Sequence, residues 1–322
     1  MFLMQKKLGY LFQKMDIGVF RAIESVLLRN ELDGKKIDMP FIAVCGPPRS
    51  GTTLTFQLVT QTIDGMLISN LHYLFYRTPL VGYWLSKWIT RPYISNYRSD
   101  FGFIAGLNGP AQAHQFWRYW CDQHLIETEP KPDNARLQRF IKVMNAIYRI
   151  DRRPFLAGFL AHAFYIDELA SLFDKCLIIR VKRDSLTSAH SMLMGMRTKD
   201  GTYVEIPSAI PKEYRSGPGK TPYERVARQT FFINRRLDEL QARHSDIFFE
   251  ADYYKSCRSP RRFAKRLVNS LSKRGFSFNC RTEVKIPESF RTRRVTRDQD
   301  EDTHKIAVAL DALVEKYGMI RE

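Results

Sequence analysis

The run FIAVCGPPRSGTTL, residues 41–54, constrains this chain more than any other stretch. Its first five residues are apolar, as a strand buried on both faces requires. A turn rich in Gly and Pro follows, and TTLTFQLVTQTI, residues 52–63, then has the three- and four-residue spacing of a helix. A strand that turns directly into a helix aims successive backbone N–H groups into the turn, and the helix start adds roughly half a positive charge. Gly51 lets an anion approach the backbone, Ser50, Thr52 and Thr53 bring hydroxyl groups, and Arg49 puts a guanidinium inside the loop. Gly46 and Gly51 have the spacing of G-x-x-x-x-G-K-[ST], yet Thr52 occupies the lysine position. The clamp on the β- and γ-phosphates of a nucleoside triphosphate is therefore missing. The loop reads as a cradle for a different phosphorylated ligand.

Elsewhere strand-like and helix-like runs alternate. MLIS (66–69), PFLAGF (154–159), CLIIRVK (176–182) and DIFFEAD (246–252) read as strands. Residues 70–120, 137–151, 163–173, 185–196, 223–243, 258–274 and 302–318 read as helices, and the proline-bearing stretches 124–136 and 198–222 as loops. That order predicts a three-layer α/β fold, a central parallel sheet with helices on both faces, in a single domain over residues 38–322. Residues 1–37 form an amphipathic helical extension. In it Leu8, Leu11, Phe12, Met15, Val19, Ile23, Val26 and Leu27 recur at helical spacing between Lys6, Lys7, Lys14 and Arg21. Such a helix either docks on the core or lies on a membrane surface.

Lys and Arg number 51 against 34 Asp and Glu, a net charge of +17. Thirteen of those cations fall in residues 258–297 beside two acids, Glu283 and Glu288. Such a block attracts nucleic acid, anionic lipid or a small polyanion, or it is simply a solvated surface. The five cysteines are scattered with no CxxC pair, which argues against a zinc site and a disulfide framework and for a reducing, cytoplasmic setting. No apolar run is long enough to span a bilayer, and the first residues are too interrupted by polar groups for a signal peptide.

PPRSGTTL resembles the 5′-phosphosulfate loop of sulfotransferases that use 3′-phosphoadenosine-5′-phosphosulfate (PAPS), where Lys or Arg stands at the position of Arg49. The family's second motif, a strand followed by Arg and a Ser eight residues later, is similar to CLIIRVKRDSLTSAHS, with Arg183 and Ser191 at those places. SNLHYLFYRTPLVGYWLSK and FFEADYYKSCRSPRRFAKRLVNSL also look like segments of bacterial members, and the resemblance spans roughly residues 38–275. It implies a P-loop-like fold and PAPS as co-substrate, with no metal. Arg49, Ser50, Gly51, Thr52 and Thr53 would hold the 5′-phosphosulfate, and Arg183 and Ser191 the 3′-phosphate. Arg49 and the helix start would stabilise the leaving bisphosphate. Two positions depart from the pattern. Ser185 stands where many relatives have Pro, and Ala157 and Gly158 stand where many carry a lysine that helps hold the transferring group.

An acceptor hydroxyl needs a base, and relatives use His or Glu. The resemblance maps that position near His72, with His162 second and His114 third. Trp84, Trp88, Trp117 and Trp120 lie within 37 residues; core packing accounts for most of these aromatics. Those left over suit a sugar ring or a lipid chain, so the expected acceptor is a glycan or glycolipid. Peripheral membrane contact is expected through residues 1–36 or the basic segment, which would otherwise close over the donor. No specific nucleic acid is expected. Two rival readings are a non-enzymatic polyanion-binding protein, which the charge would serve, and a P-loop small-molecule kinase, which Thr52 opposes.

Overall fold

The computed structural model describes residues 18–100, 102–204, 208–217 and 219–320. Residues 1–17, part of the expected extension, lie outside them. Five parallel strands form the central sheet: β1 (Phe41–Cys45), β2 (Met66–Leu67), β3 (Phe155–Ala157), β4 (Cys176–Lys182) and β5 (Phe248–Asp252). Their spatial order is β2-β3-β1-β4-β5, with Phe41 opposite both Phe155 and Cys176 and Ile178 opposite Phe248. Period-two alternation divides β1 between two cores. Phe41, Ala43 and Cys45 face one, while Ile42 and Val44 face the other.

The expected α/β fold is what the structure has. Helix α1 (Gly18–Leu27) precedes the sheet, and α2 (Thr52–Thr62) follows β1. The first core is closed by α3 (Pro79–Ile89), α4 (His114–Cys121) and α5 (Asn134–Asp151), and here Trp117 and Trp120 are buried against Phe140 and Phe155. Helix α2 and α8 (Pro260–Lys273) cover the second core through Phe56, Val59, Phe263 and Leu267. Helices α6 (Ser185–Met196), α7 (Pro222–Arg243) and α9 (Glu301–Tyr317) pack together at the far side.

Some boundaries differ from the expected ones. The helical reading of residues 70–120 breaks between α3 and α4, where Pro92 and Pro110 lack an N–H donor and Gly102 and Gly106 turn the chain through positive φ. Residues 28–36 are not helical. Residues 163–173 divide into a 3-10 turn, Leu160–Phe164, and a helix, Ile166–Leu172. A small antiparallel ribbon pairs Ile63 with Cys280 and brings the basic segment back to the end of α2.

Within that segment several arginines act as staples. Arg281 bonds the carbonyls of Thr60 and Tyr93, Arg261 that of Ile286, and Arg274 those of Asp246 and Phe248. Arg297 pairs with Asp311. The segment is drawn across the surface until Val295, buried, donates its N–H to Thr187 Oγ1.

Helix α1 is held to the body through a buried carboxylate. Glu24 accepts the N–H of Leu80 at 2.9 Å, at the start of α3, and pairs with Arg139 at 3.0 Å. Glu24→Ala would leave both donors without it, and the chain should lose about 1–3 kcal/mol of stability in a denaturant titration.

Candidate active site

The carboxyl ends of β1 and β4 meet at the point where the chain reverses its direction across the sheet, the place where open α/β sheets form a crevice. The β1 loop supplies Arg49 and Gly51, both with positive φ (66° and 99°). For arginine that backbone state is costly and persists only where surroundings enforce it. Gly51 is the N-cap of α2, and no side chain caps it. A Cβ at Gly51 would overlap the Tyr253 ring, so glycine is needed there for space as well as for backbone freedom.

Three side chains from distant stretches close on this loop. Arg183, just beyond β4, donates to the Arg49 carbonyl at 2.7 Å and to the Arg293 carbonyl at 3.0 Å. Its guanidinium lies 4.4 Å from the centre of the Tyr253 ring, a cation–π seat. Ser191, on α6, accepts a hydrogen bond from Arg49 Nε at 3.2 Å. Burial disfavours the charged form of Arg49, and the nearby Arg183 cation disfavours it further. An anion between the two arginines would relieve that repulsion. Ser50 Oγ and Arg183 Nε are buried and have no hydrogen-bond partner among the described residues, two donors available to such an anion.

The loop opens into a cleft of about 300 Å³. Arg49, Gly51, Thr52, Thr53, Arg183, Ser191 and Tyr253 line one part of it. The remainder combines apolar walls, Leu54, Leu160, Met192, Met196 and Ile210, with polar groups from Ser99, Gln112, Tyr214 and Gln229. The wall that carries Ile210 is held by Gln229 and by Arg236, which bridges Glu127 and Glu213. Ala157 and Gly158, where relatives carry lysine, offer no cation. An added Cβ at Gly158 would sit 2.8 Å from Phe56 Cδ1, so the backbone lies flat under that ring and leaves no space for a longer side chain.

Arg49, Ser50, Gly51, Thr52, Thr53, Arg183 and Ser191 are thus brought together. His72, His162 and His114 are all absent from the cleft lining. His72 is buried with Nε2 2.8 Å from the Pro79 carbonyl, and burial pushes its pKa down to about 4. His162 is buried among Phe41, Trp117 and Phe159 with Nδ1 on Gln123, and burial lowers its pKa to about 3. His114 is nearer. It begins α4 two residues after Gln112, and its ring is 5.9 Å from that of Phe159, the neighbour of Leu160. Tyr253 and the Arg293 carbonyl had no motif to announce them. Their only sequence signal is position, a Tyr pair directly after β5 and an arginine-rich run near the chain end.

A strand–loop–helix turn faced by Arg and Ser from the next strand and helix is a P-loop-like arrangement. A family model described as the sulfotransferase family matches residues 40–273, and the chain belongs to that family. Solved structures with a similar trace include sulfotransferase STF9 from Mycobacterium avium, 13% identical, with a TM-score of 0.47 over 88% of this chain and 70% of that one. The sulfotransferase domain of the Synechococcus PCC 7002 olefin synthase is 16% identical, with a TM-score of 0.41 over 87% and 98%. STF1 from Mycobacterium tuberculosis H37Rv is 10% identical, with a TM-score of 0.45 over 88% and 77%. No curated protein matches. Among the described residues, no group of three His, Cys, Asp or Glu is placed to hold a metal ion.

The two buried histidines make stability depend on pH. An unfolded chain protonates them near pH 6.5, while the folded chain resists until about 4 and about 3. Stability present above pH 6.5 is therefore lost as the pH falls toward 4. Denaturant titrations at pH 7 and pH 5 should differ by about 2 kcal/mol for each histidine, and His72→Gln should show a smaller difference than the parent.

Proposed function

We propose that this sulfotransferase moves a sulfuryl group from PAPS to the hydroxyl of a glycan or glycolipid. The observation that carries the reading is the junction of Arg49, Arg183 and Ser191, which brings two guanidiniums and a hydroxyl together beside the start of α2. Arg183 and Ser191 would hold the 3′-phosphate that separates this donor from ATP. Ser50, Thr52, Thr53 and the start of α2 would hold the 5′-phosphosulfate. The acceptor oxygen bonds to sulfur as the bridging S–O bond breaks, and the electron pair stays with the leaving 5′-phosphate. Arg49, inside the loop, would stabilise that charge. With no lysine at Ala157 or Gly158, this arginine and the helix start carry the charge compensation between them.

His114 is the base in this reading. Burial first, then Arg118 and His124, hold its pKa below the ordinary histidine value, so the ring is neutral and able to take the acceptor proton at pH 7. The cleft's apolar walls with a few polar groups suit an acceptor that has a sugar on an apolar body. A cytoplasmic setting accords with five unpaired cysteines, four of them buried. Among the described residues, no helix is long and apolar enough to cross a membrane.

Calorimetric titration in EDTA tests the donor site. 3′,5′-Adenosine bisphosphate should bind at least roughly tenfold tighter than 5′-AMP, from a charge-assisted contact worth about 1.5–3 kcal/mol. Arg183→Ala should erase that preference, and equal affinity in the parent chain would overturn the reading. In a sulfation assay His114→Ala should lower kcat by about 10²–10⁴ without weakening bisphosphate binding. Because the neutral ring is the active form, the acid limb of the parent's pH profile should lie below pH 6.5.

A further inference from the structure

Helix α1 has an apolar face that the fold does not use. Its docked face holds Phe20, whose ring meets Phe75 edge-on at 5.5 Å, with Glu24 and Leu28 buried beyond it. Val19, Ile23, Val26 and Leu27 lie on another face at three- and four-residue intervals, and all four are exposed, Val19 by 61%. A helix that serves only to cover a core needs one apolar stripe. Helix α3, which packs against α1, exposes Trp84, Trp88 and Ile89, and Ile94 follows it; Trp88 is 82% exposed. Single exposed apolar residues are ordinary, whereas several on two adjoining helices mark an interaction surface.

The charge around this surface points to its occupant. Residues 18–29 and 79–98 contain five cations, Arg21, Arg29, Lys87, Arg91 and Arg98, all at exposed positions. Their one acid, Glu24, is buried and paired with Arg139. Aliphatic side chains and tryptophan beside exposed lysine and arginine are what an interface between water and anionic headgroups favours. We propose that this face seats the protein on an anionic lipid bilayer, with Ile23, Val26 and Trp88 entering the headgroup layer and Lys87 and Arg91 among the phosphates. The proposal stands on surface residues outside the cleft and does not depend on the sulfuryl-transfer reading.

Trp88, with Trp84 beside it on the same helix, reports directly, because Trp117 and Trp120 are buried. The full chain should sediment with vesicles of phosphatidylcholine and phosphatidylglycerol but not with phosphatidylcholine alone. Its tryptophan emission should shift to the blue and be quenched by brominated acyl chains. Ile23→Ser with Trp88→Ser should weaken partitioning by at least about tenfold, and so should Lys87→Glu with Arg91→Glu, while thermal melts stay at the parent value. Absence of binding to the anionic vesicles would overturn the proposal. Binding that both pairs of substitutions leave intact would also overturn it, and would place the contact in residues 1–17 or in the basic segment. A concentration-dependent dimer in sedimentation equilibrium that Trp88→Ser abolishes would assign the face to a second copy of the chain instead. Failure of acrylamide to quench the emission of the free protein would show the face covered by the chain's own first residues.

Discussion

The hydrogen bond from Arg183 to the Arg49 carbonyl holds the site together. It joins the ends of the two central strands, and it fixes a loop whose backbone at Arg49 is in a costly left-handed state. Tyr253 seats the same guanidinium from β5, and the ring stands where a Cβ on Gly51 would be. Glycine at 51, arginine at 183 and tyrosine at 253 therefore depend on one another, and the strained loop is stable because three strands contribute to one contact. The two guanidiniums that this contact brings near each other repel, and the fold keeps that repulsion where an anion would remove it.

Much of this was legible in the chain. Strands β1 and β4 are buried on both faces, so their apolar runs stand out, and the loop after β1 carries its glycines at a recognisable spacing. Arg183 and Ser191 follow from the position of β4 and the start of the next helix. The acid–base assignment was not legible in that way. His72 and His162 look available in a linear reading, but their rings are sealed among core groups, and nothing local in sequence announces burial of a histidine. The long helical reading between residues 70 and 120 failed for a different reason. Its aromatic residues pack from irregular backbone as well as from helix, so apolar spacing alone could not reveal the break at Pro92 and the glycines beyond it.

The basic segment shows how composition can mislead about destination. Thirteen cations in residues 258–297 suggested an anionic partner, yet four of them, Arg261, Arg266, Arg274 and Arg281, bond backbone carbonyls of other segments. An irregular strap has few backbone partners of its own, and arginine, with several donors on a planar head, can satisfy carbonyls on two elements at once. Charge there serves mainly to keep the strap in place. The less conspicuous cations of residues 18–29 and 79–98 are fewer but border an exposed apolar face, and that contrast makes location more informative than number.

The donor-site contacts link residues that are 142, 134 and 110 positions apart in the chain. Pairings at such separation come late in folding, because the intervening loops must be closed before any contact is gained. A partly folded chain, even one with the β1 loop and α2 already formed, would lack the second guanidinium and its tyrosine seat. The proposed affinity for a nucleotide with two phosphate groups is therefore a property of the complete fold alone. Bound nucleotide would add its binding free energy to the global stability of the chain and to none of its partial structures, making the folding transition more cooperative as nucleotide concentration rises.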